Sequence, residues 1–184
     1  MNFSELDPKV QDKVRSWQLD YDWWDNTYQD IVRMGEILGI TIYDRVVKSV
    51  RGKPIPEPDI YFDLGRSMEL TFDGRLAYAP EACTKIRAET NDEVLISLAD
   101  RIATVFVTMR MKDMPVPHIL IRHRAVEIDW EGWEGDVESL DQDIRRIIFD
   151  FKTWAWNCLN DESDYLMSDE CLSDYDYEAD GSRI

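Results

Sequence analysis

Histidine and cysteine, on which most metal and covalent chemistry draws, are scarce: two histidines and three cysteines in 184 residues. Cys83, Cys158 and Cys171 are odd in number, far apart and form no CxxC pair, which argues against a disulfide framework or structural zinc and suits a reducing cytoplasm. His118 and His123 sit five apart on a strand pattern, so they are expected on opposite faces and unable to share a metal without a bulge. No GxxxxGK[ST], GxSxG, HExxH or dinucleotide glycine fingerprint occurs, which leaves standard cofactor enzymes without support. The opening MNFSELDPK lacks a basic n-region and an apolar run, and no stretch approaches the ~18 apolar residues of a membrane span. The chain is therefore expected to be neither secreted nor membrane-embedded.

Positive charge is also in short supply. Against 38 Asp and Glu stand 21 Lys and Arg, a formal net charge of -17 with a pI near 4.4. Direct nucleic-acid binding and an anionic membrane surface are both disfavoured, because each calls for a basic face. Seventeen charges at one per ~1.7 Å of duplex axis match about 29 Å of DNA, comparable to a domain with a radius of gyration of about 16 Å. Electrostatic imitation of DNA is one reading of that surplus, and plain solubility is the other. A hydrophobic fraction of 44%, with 11% aromatic, supplies enough apolar surface for one folded domain.

The pattern alternates between helical and strand periods. Asp7-Pro8 opens a helix whose Val10, Val14 and Trp17 share a face. Trp24, Tyr28, Ile31, Gly35 and Leu38 form the stripe of a second, with Gly39 as its stop and Asp20, Asp22 and Asp25 crowding its start, where carboxylates suit the macrodipole. RVVKSVRGKPIPEP, Arg45 to Pro58, is the only basic stretch and is expected as a flexible or extended loop. Alternation predicts strands over Ile60–Leu64 and Met68–Phe72 joined by a tight Gly65-Arg66 hairpin. Asp73-Gly74 then makes a turn or a bulge. Capping boxes at Thr90/Glu93 and Ser139/Gln142 announce two long helices, and Ile119 to Trp130 carries two further strands or one bent strand. The architecture expected is α+β: a small, mainly antiparallel sheet of about four strands packed against several helices. Residues 1–160 form that domain, and 161–184 an acidic Asp/Tyr-rich segment docked on it.

That segment holds Asp161, Glu162, Asp164, Asp169, Glu170, Asp174, Asp176 and Glu178 with no base before Arg183. It reads as a disordered tail, or as a docked segment whose Tyr165, Leu166, Tyr175 and Tyr177 fix a strip of carboxylates. Asp129, Glu131, Glu134, Asp136 and Glu138 could ligate calcium but lack the EF-hand order, and a solvated acidic turn is the plainer reading. Trp133, Trp154 and Trp156 are candidate exposed contacts.

The order W-x-D-N-x-Y-x-D from Trp23, LGI-x-I at Leu38 to Ile42, IYFDL, the helix after Asn91-Asp92-Glu93, and the terminal DYL-x-SDE and YE-x-DGSRI resemble a phage and prophage family labelled "antitoxin of toxin-antitoxin stability system". The chain departs from that pattern after Tyr61-Phe62, where the family's longer Gly- and Ser-rich hairpin is missing, and around His118 to Glu131, which is poorer in His and Gly. No catalytic signature is among the shared motifs. The resemblance implies a cytoplasmic phage-type or bacterial protein whose terminal acidic segment belongs to the domain. With the charge, it predicts a non-enzymatic inhibitor without cofactor or metal that neutralises a basic partner, a toxin or a nucleic-acid-binding defence component. The partner-binding residues expected are Asp20, Asp22 and Asp25 with the eight C-terminal carboxylates named above. The alternatives are a homo-oligomer and a metal- or acid-dependent hydrolase.

Overall fold

The computed structural model describes residues 1–19, 23–48 and 52–184. A 3-10 turn at Phe3–Glu5 leads into α1 (Pro8–Trp17) and α2 (Asp25–Leu38). Six short strands follow: β1 (Ile40–Ile42), β2 (Asp44–Lys48), β3 (Pro54–Pro58), β4 (Ile60–Asp63), β5 (Glu69–Phe72) and β6 (Gly74–Leu76). Next come α3 (Ala82–Glu89), α4 (Glu93–Met111), β7 (His118–Ile121), β8 (Val126–Asp129), α5 (Glu138–Leu166) and α6 (Asp169–Ser173). The class is α+β, as the patterning predicts. The chain divides into two compact units: a central one, Tyr28–Trp156, and a terminal one built from Met1–Thr27 and Asn157–Ile184. The boundary expected near residue 160 falls inside α5.

In the central unit β1, β6, β7 and β8 form an antiparallel sheet in the order β1-β6-β7-β8, while β2–β3 and β4–β5 are separate antiparallel ladders. Alternation puts Ile40, Ile42, Leu76, Ile119 and Ile121 inside. The α5 stripe of Ile144, Ile147, Ile148 and Phe151 is buried too, each side chain contributing about 1.5–3 kcal/mol through apolar burial. Phe151 meets Phe72 of β5 edge-on, centroids 6.0 Å apart. At Gly35 on α2 an added Cβ would lie 3.2 Å from Phe151 Cζ, so α2 and α5 approach at a glycine. Gly39 ends α2 at φ +87 and donates its N–H to Glu36 O at 3.1 Å.

Several local expectations are corrected. Where a flexible or extended loop is expected over Arg45 to Pro58, β2 and β3 pair as an antiparallel ladder, Arg45 with Glu57, Val46 with Pro56 and Val47 with Ile55; residues 49–51 of that stretch lie outside the described residues. Pro54, Pro56 and Pro58 alternate, so their missing N–H groups all fall on one edge and Ile55 and Glu57 remain able to donate. The joint of β4 and β5 is longer than Gly65-Arg66; Asp63 caps it, accepting from Gly65 N at 2.7 Å and Ser67 N at 3.1 Å. These bonds and that from the Ser67 hydroxyl hold the Asp63 carboxyl below its ordinary value. Asp73-Gly74 does not reverse the chain; it passes the strand from partner β4 to partner β1, and Gly74 is required for space, since a Cβ would lie 2.2 Å from Thr41 O.

Neither capping box forms as expected. Asp92 caps α4, accepting from Val94 N at 2.8 Å and Leu95 N at 3.2 Å, while Thr90 closes α3, a helix absent from the sequence reading. α5 starts before Ser139, where Asp136 accepts from Glu138 N at 3.0 Å. Among the described residues no helix is long and apolar enough to cross a membrane.

In the terminal unit Phe3, Leu6, Val14, Leu172 and Tyr177 form a small buried core, with Val10 packed on it. The chain ends meet there: Met1 N donates to Tyr177 O at 2.9 Å and Tyr177 N returns a bond to Met1 O at 2.9 Å.

Candidate functional site

The acidic C-terminal residues are ordered by their apolar neighbours. α6 is capped by Ser168, whose Oγ accepts from Cys171 N at 3.2 Å, and it turns Cys171 and Leu172 inward. Asp169, Glu170 and Asp174 are left outward and exposed. Tyr177 is 1% exposed, with its hydroxyl donating to Leu172 O at 3.0 Å; Asp176 and Glu178 flank it on the outside. A bend closes the segment, Glu178 N bonding Ser182 O at 2.8 Å across Gly181. Asp161 and Asp164 are exposed on the last turns of α5, Glu162 is half-buried, and Asp25 is exposed at the start of α2. Asp20 and Asp22 lie outside the described residues. The fold therefore gathers nine of the eleven expected partner-binding carboxylates, Asp25 and the eight C-terminal acids, into the terminal unit.

Charge is unevenly divided. The terminal unit's 55 residues carry 15 acids against 4 bases, net -11, while the central unit's 129 carry 23 against 17, net -6. Most of those few bases are committed internally. Arg15 pairs with Asp169 at 2.7 Å, Lys13 donates to Asp180 O at 3.4 Å, and Arg183 donates to Gln18 Oε1 at 2.7 Å while lying 3.7 Å over the Tyr175 ring. Of the acids, Asp169 is partly neutralised by Arg15. Asp180 is held below its ordinary value by bonds from the Ser182 hydroxyl and backbone N–H.

The central unit presents a second site that the spacing of residues does not announce. A pocket of about 650 Å³ opens between β5, the β7–β8 turn and α5, lined among others by Thr71, His123, Arg124, Arg145, Phe149 and Lys152. Lys152 Nζ donates to Arg122 O at 3.2 Å and His123 O at 3.4 Å, and burial pushes its pKa below the ordinary lysine value. Beside the pocket Asp59, Asp73 and His123, each half-buried, bring one ligand atom apiece within 4.8 Å of one another, the one such group of three among the described residues. His123 Nε2 is 3.4 Å from Asp59 Oδ2 and 3.7 Å from Asp73 Oδ1, and its Nδ1 is 3.1 Å from Thr71 Oγ1. Asp73 Oδ1 also accepts from His123 N at 2.9 Å.

His123 has left the strand pattern on which it was placed: β7 ends at Ile121, and the Arg122–Ala125 turn swings the ring toward Asp59 and Asp73. His118 stays at the other end of β7, exposed. The Asp129 to Glu138 acids do not converge; Asp129 ends β8, Glu138 opens α5, and Glu131, Glu134 and Asp136 stand exposed between them, Asp136 serving as a cap. The aromatic contact surface expected at Trp133, Trp154 and Trp156 is not presented. Trp154 is buried with Nε1 donating to Asp92 Oδ2 at 2.8 Å, Trp156 Nε1 donates to Asp63 O at 2.9 Å, and Trp133 is half-buried with its Nε1 enclosed.

A family model described as "Domain of unknown function (DUF8835)" matches residues 23–169, most of the chain, and the chain belongs to that family. No curated protein and no solved structure matches it.

Proposed function

We propose that this DUF8835 chain is a non-enzymatic, antitoxin-like inhibitor of phage or bacterial-host origin that acts in the cytoplasm by binding a basic protein, a toxin or a nucleic-acid-binding defence component. The observation that carries the reading is the concentration of charge: net -11 on the 55 residues of the terminal unit, whose acidic C-terminal segment is anchored by Leu172 and Tyr177. A disordered tail of equal charge would lose ordering entropy on binding; carboxylates already held by a packed frame avoid much of that loss. Asp161, Asp164, Glu170, Asp174, Asp176 and Glu178 then occupy the partner's phosphate-binding groove, and association is fast and salt-sensitive. A metal-dependent hydrolase built on Asp129 to Glu138 has no converged site to use.

The test is a pull-down of the tagged chain from bacterial lysate across a salt series, followed by affinity measurement with the protein identified. Support is one basic nucleic-acid-binding protein that elutes as salt rises and binds at least tenfold more weakly to the triple variant Asp174→Asn, Asp176→Asn, Glu178→Gln. Binding unchanged at about 0.5 M salt, where screening acts within ~4 Å, rejects the electrostatic mechanism.

A further inference from the structure

We propose that Asp59, Asp73 and His123 form a binding site for a divalent transition-metal ion, with zinc the best fit. The donor separations carry the argument. At 3.4 and 3.7 Å, the Nε2 to carboxylate-oxygen distances exceed the roughly 2.7–3.2 Å of a hydrogen bond. Donors at the corners of a tetrahedron with metal–ligand bonds of about 2.0–2.1 Å stand ~3.4 Å apart. The imidazole nitrogen thus stands from each carboxylate at the spacing of two ligands on one small ion, with the two carboxylate oxygens within 4.8 Å of each other.

The surrounding structure holds each ligand as such a site requires. Thr71, itself buried, engages His123 Nδ1 at 3.1 Å, which fixes the ring and leaves Nε2 directed at the two carboxylates, the usual outer contact of a metal-ligating imidazole. Asp59, at the joint of β3 and β4, and Asp73, at the joint of β5 and β6, are tied through a single residue: Asp59 N donates to Tyr43 O at 2.7 Å, and Tyr43 N donates to Asp73 O at 2.8 Å. These two backbone hydrogen bonds, between joints of adjoining strands, set the positions of both carboxylate residues. One imidazole with two carboxylates favours zinc and its neighbours over magnesium or calcium, which take all-oxygen shells. Three protein ligands leave a fourth position for water, and because Thr71 and His123 also line the 650 Å³ pocket, the ion lies at its wall. Arg122 lies 3.5 Å from Asp73 Oδ2 and competes for that carboxylate, so the affinity is moderate.

The test is calorimetric titration of the full chain with Zn²⁺ alone, with Co²⁺ absorption as a second readout. The expected result is one site per chain, weakened more than tenfold in both Asp59→Asn and His123→Gln, with a tetrahedral Co²⁺ spectrum free of thiolate charge transfer. Asp59→Asn preserves size and shape, and circular dichroism together with an unliganded melting temperature near wild type verifies that it is folded. Zn²⁺ then raises the melting temperature of the wild type and not of the variant. No binding by the wild type overturns the proposal. Equal binding by both variants also overturns it, placing the ion on other carboxylates or on cysteines, as does a thiolate band. In each of these cases the three side chains are only a polar cluster that holds no metal ion.

Discussion

Leu172 is the residue through which the acidic segment is secured, and Leu172→Ala tests whether it is secured at all. The side chain is 0% exposed, enclosed by Phe3, Leu6, Val14 and Tyr177. Alanine removes three carbons, about 2.4 kcal/mol of transfer free energy at ~0.8 per buried methylene. The unfilled cavity brings the total to about 3 kcal/mol, within the range for buried leucines. At about 1.4 kcal/mol per tenfold, the opening equilibrium of the segment rises ~100-fold. Hydrogen exchange read by mass spectrometry on peptides covering residues 169–184 should show that acceleration, with a smaller change in peptides from the central unit. Asp174→Ala, an exposed position, is the control and should move stability by less than about 0.5 kcal/mol. Unchanged protection in residues 169–184, with a loss under about 0.5 kcal/mol, would falsify the docked segment and with it the frame on which the carboxylates are held.

Three further outcomes follow from the geometry. Gly132→Ala places alanine at φ +73 with nothing within 4 Å, whereas Gly39→Ala adds a Cβ 2.1 Å from Ala77 O at φ +87. Thermal melts should therefore show a cost of about 1 kcal/mol for the first and ~3 or more for the second, and equal costs would remove the close approach. Lys152 has a folded pKa depressed chiefly by burial, opposed by Asp73 and Glu69, so between that value and the unfolded 10.5 the unfolded chain binds more protons and stability rises with pH. Urea midpoints should show this rise in the wild type relative to Lys152→Met, and parallel pH profiles would contradict it. Asp92→Ala removes the α4 cap and the Trp154 indole's acceptor together, an expected loss of about 2 kcal/mol in chemical denaturation.

Long-period features were legible in the sequence: the α2, α4 and α5 stripes and the alternation of β4, β7 and β8 reflect greater burial on one face, which repetition records, while β5 buries Leu70, Thr71 and Phe72 alike. Caps were read less well, because Thr90 and Asp92 both offer an oxygen to nearby N–H groups and only the backbone path decides which serves α4. The β2–β3 ladder was hidden because proline usually argues against strands; its tolerance on one edge depends on register, which composition does not encode. α3 was missed because only Ala82 and Ile86 of its eight residues are buried, too few for a stripe. The acidic carboxylates were named from charge alone. The Asp59, Asp73 and His123 group was not, because its members lie up to 64 positions apart and meet only where separate ladders converge. One local signal was present: His123 falls where alternation breaks between Ile121 and Val126.

The division of the chain also sets a timetable. The central unit is one continuous stretch, so it can close on itself without contributions from either flanking segment. The terminal unit joins the first 27 residues to the last 28, and Met1 waits for Tyr177 across a separation of 176. Closure over that span is slow to nucleate, because the entropy of bringing the ends together must be met before any contact offsets it. The surface richest in carboxylates is therefore the part of this fold that forms late. A chain in which only the central unit has closed would carry the pocket and the His123 group without the finished acidic face, so the two sites come into being in succession during folding.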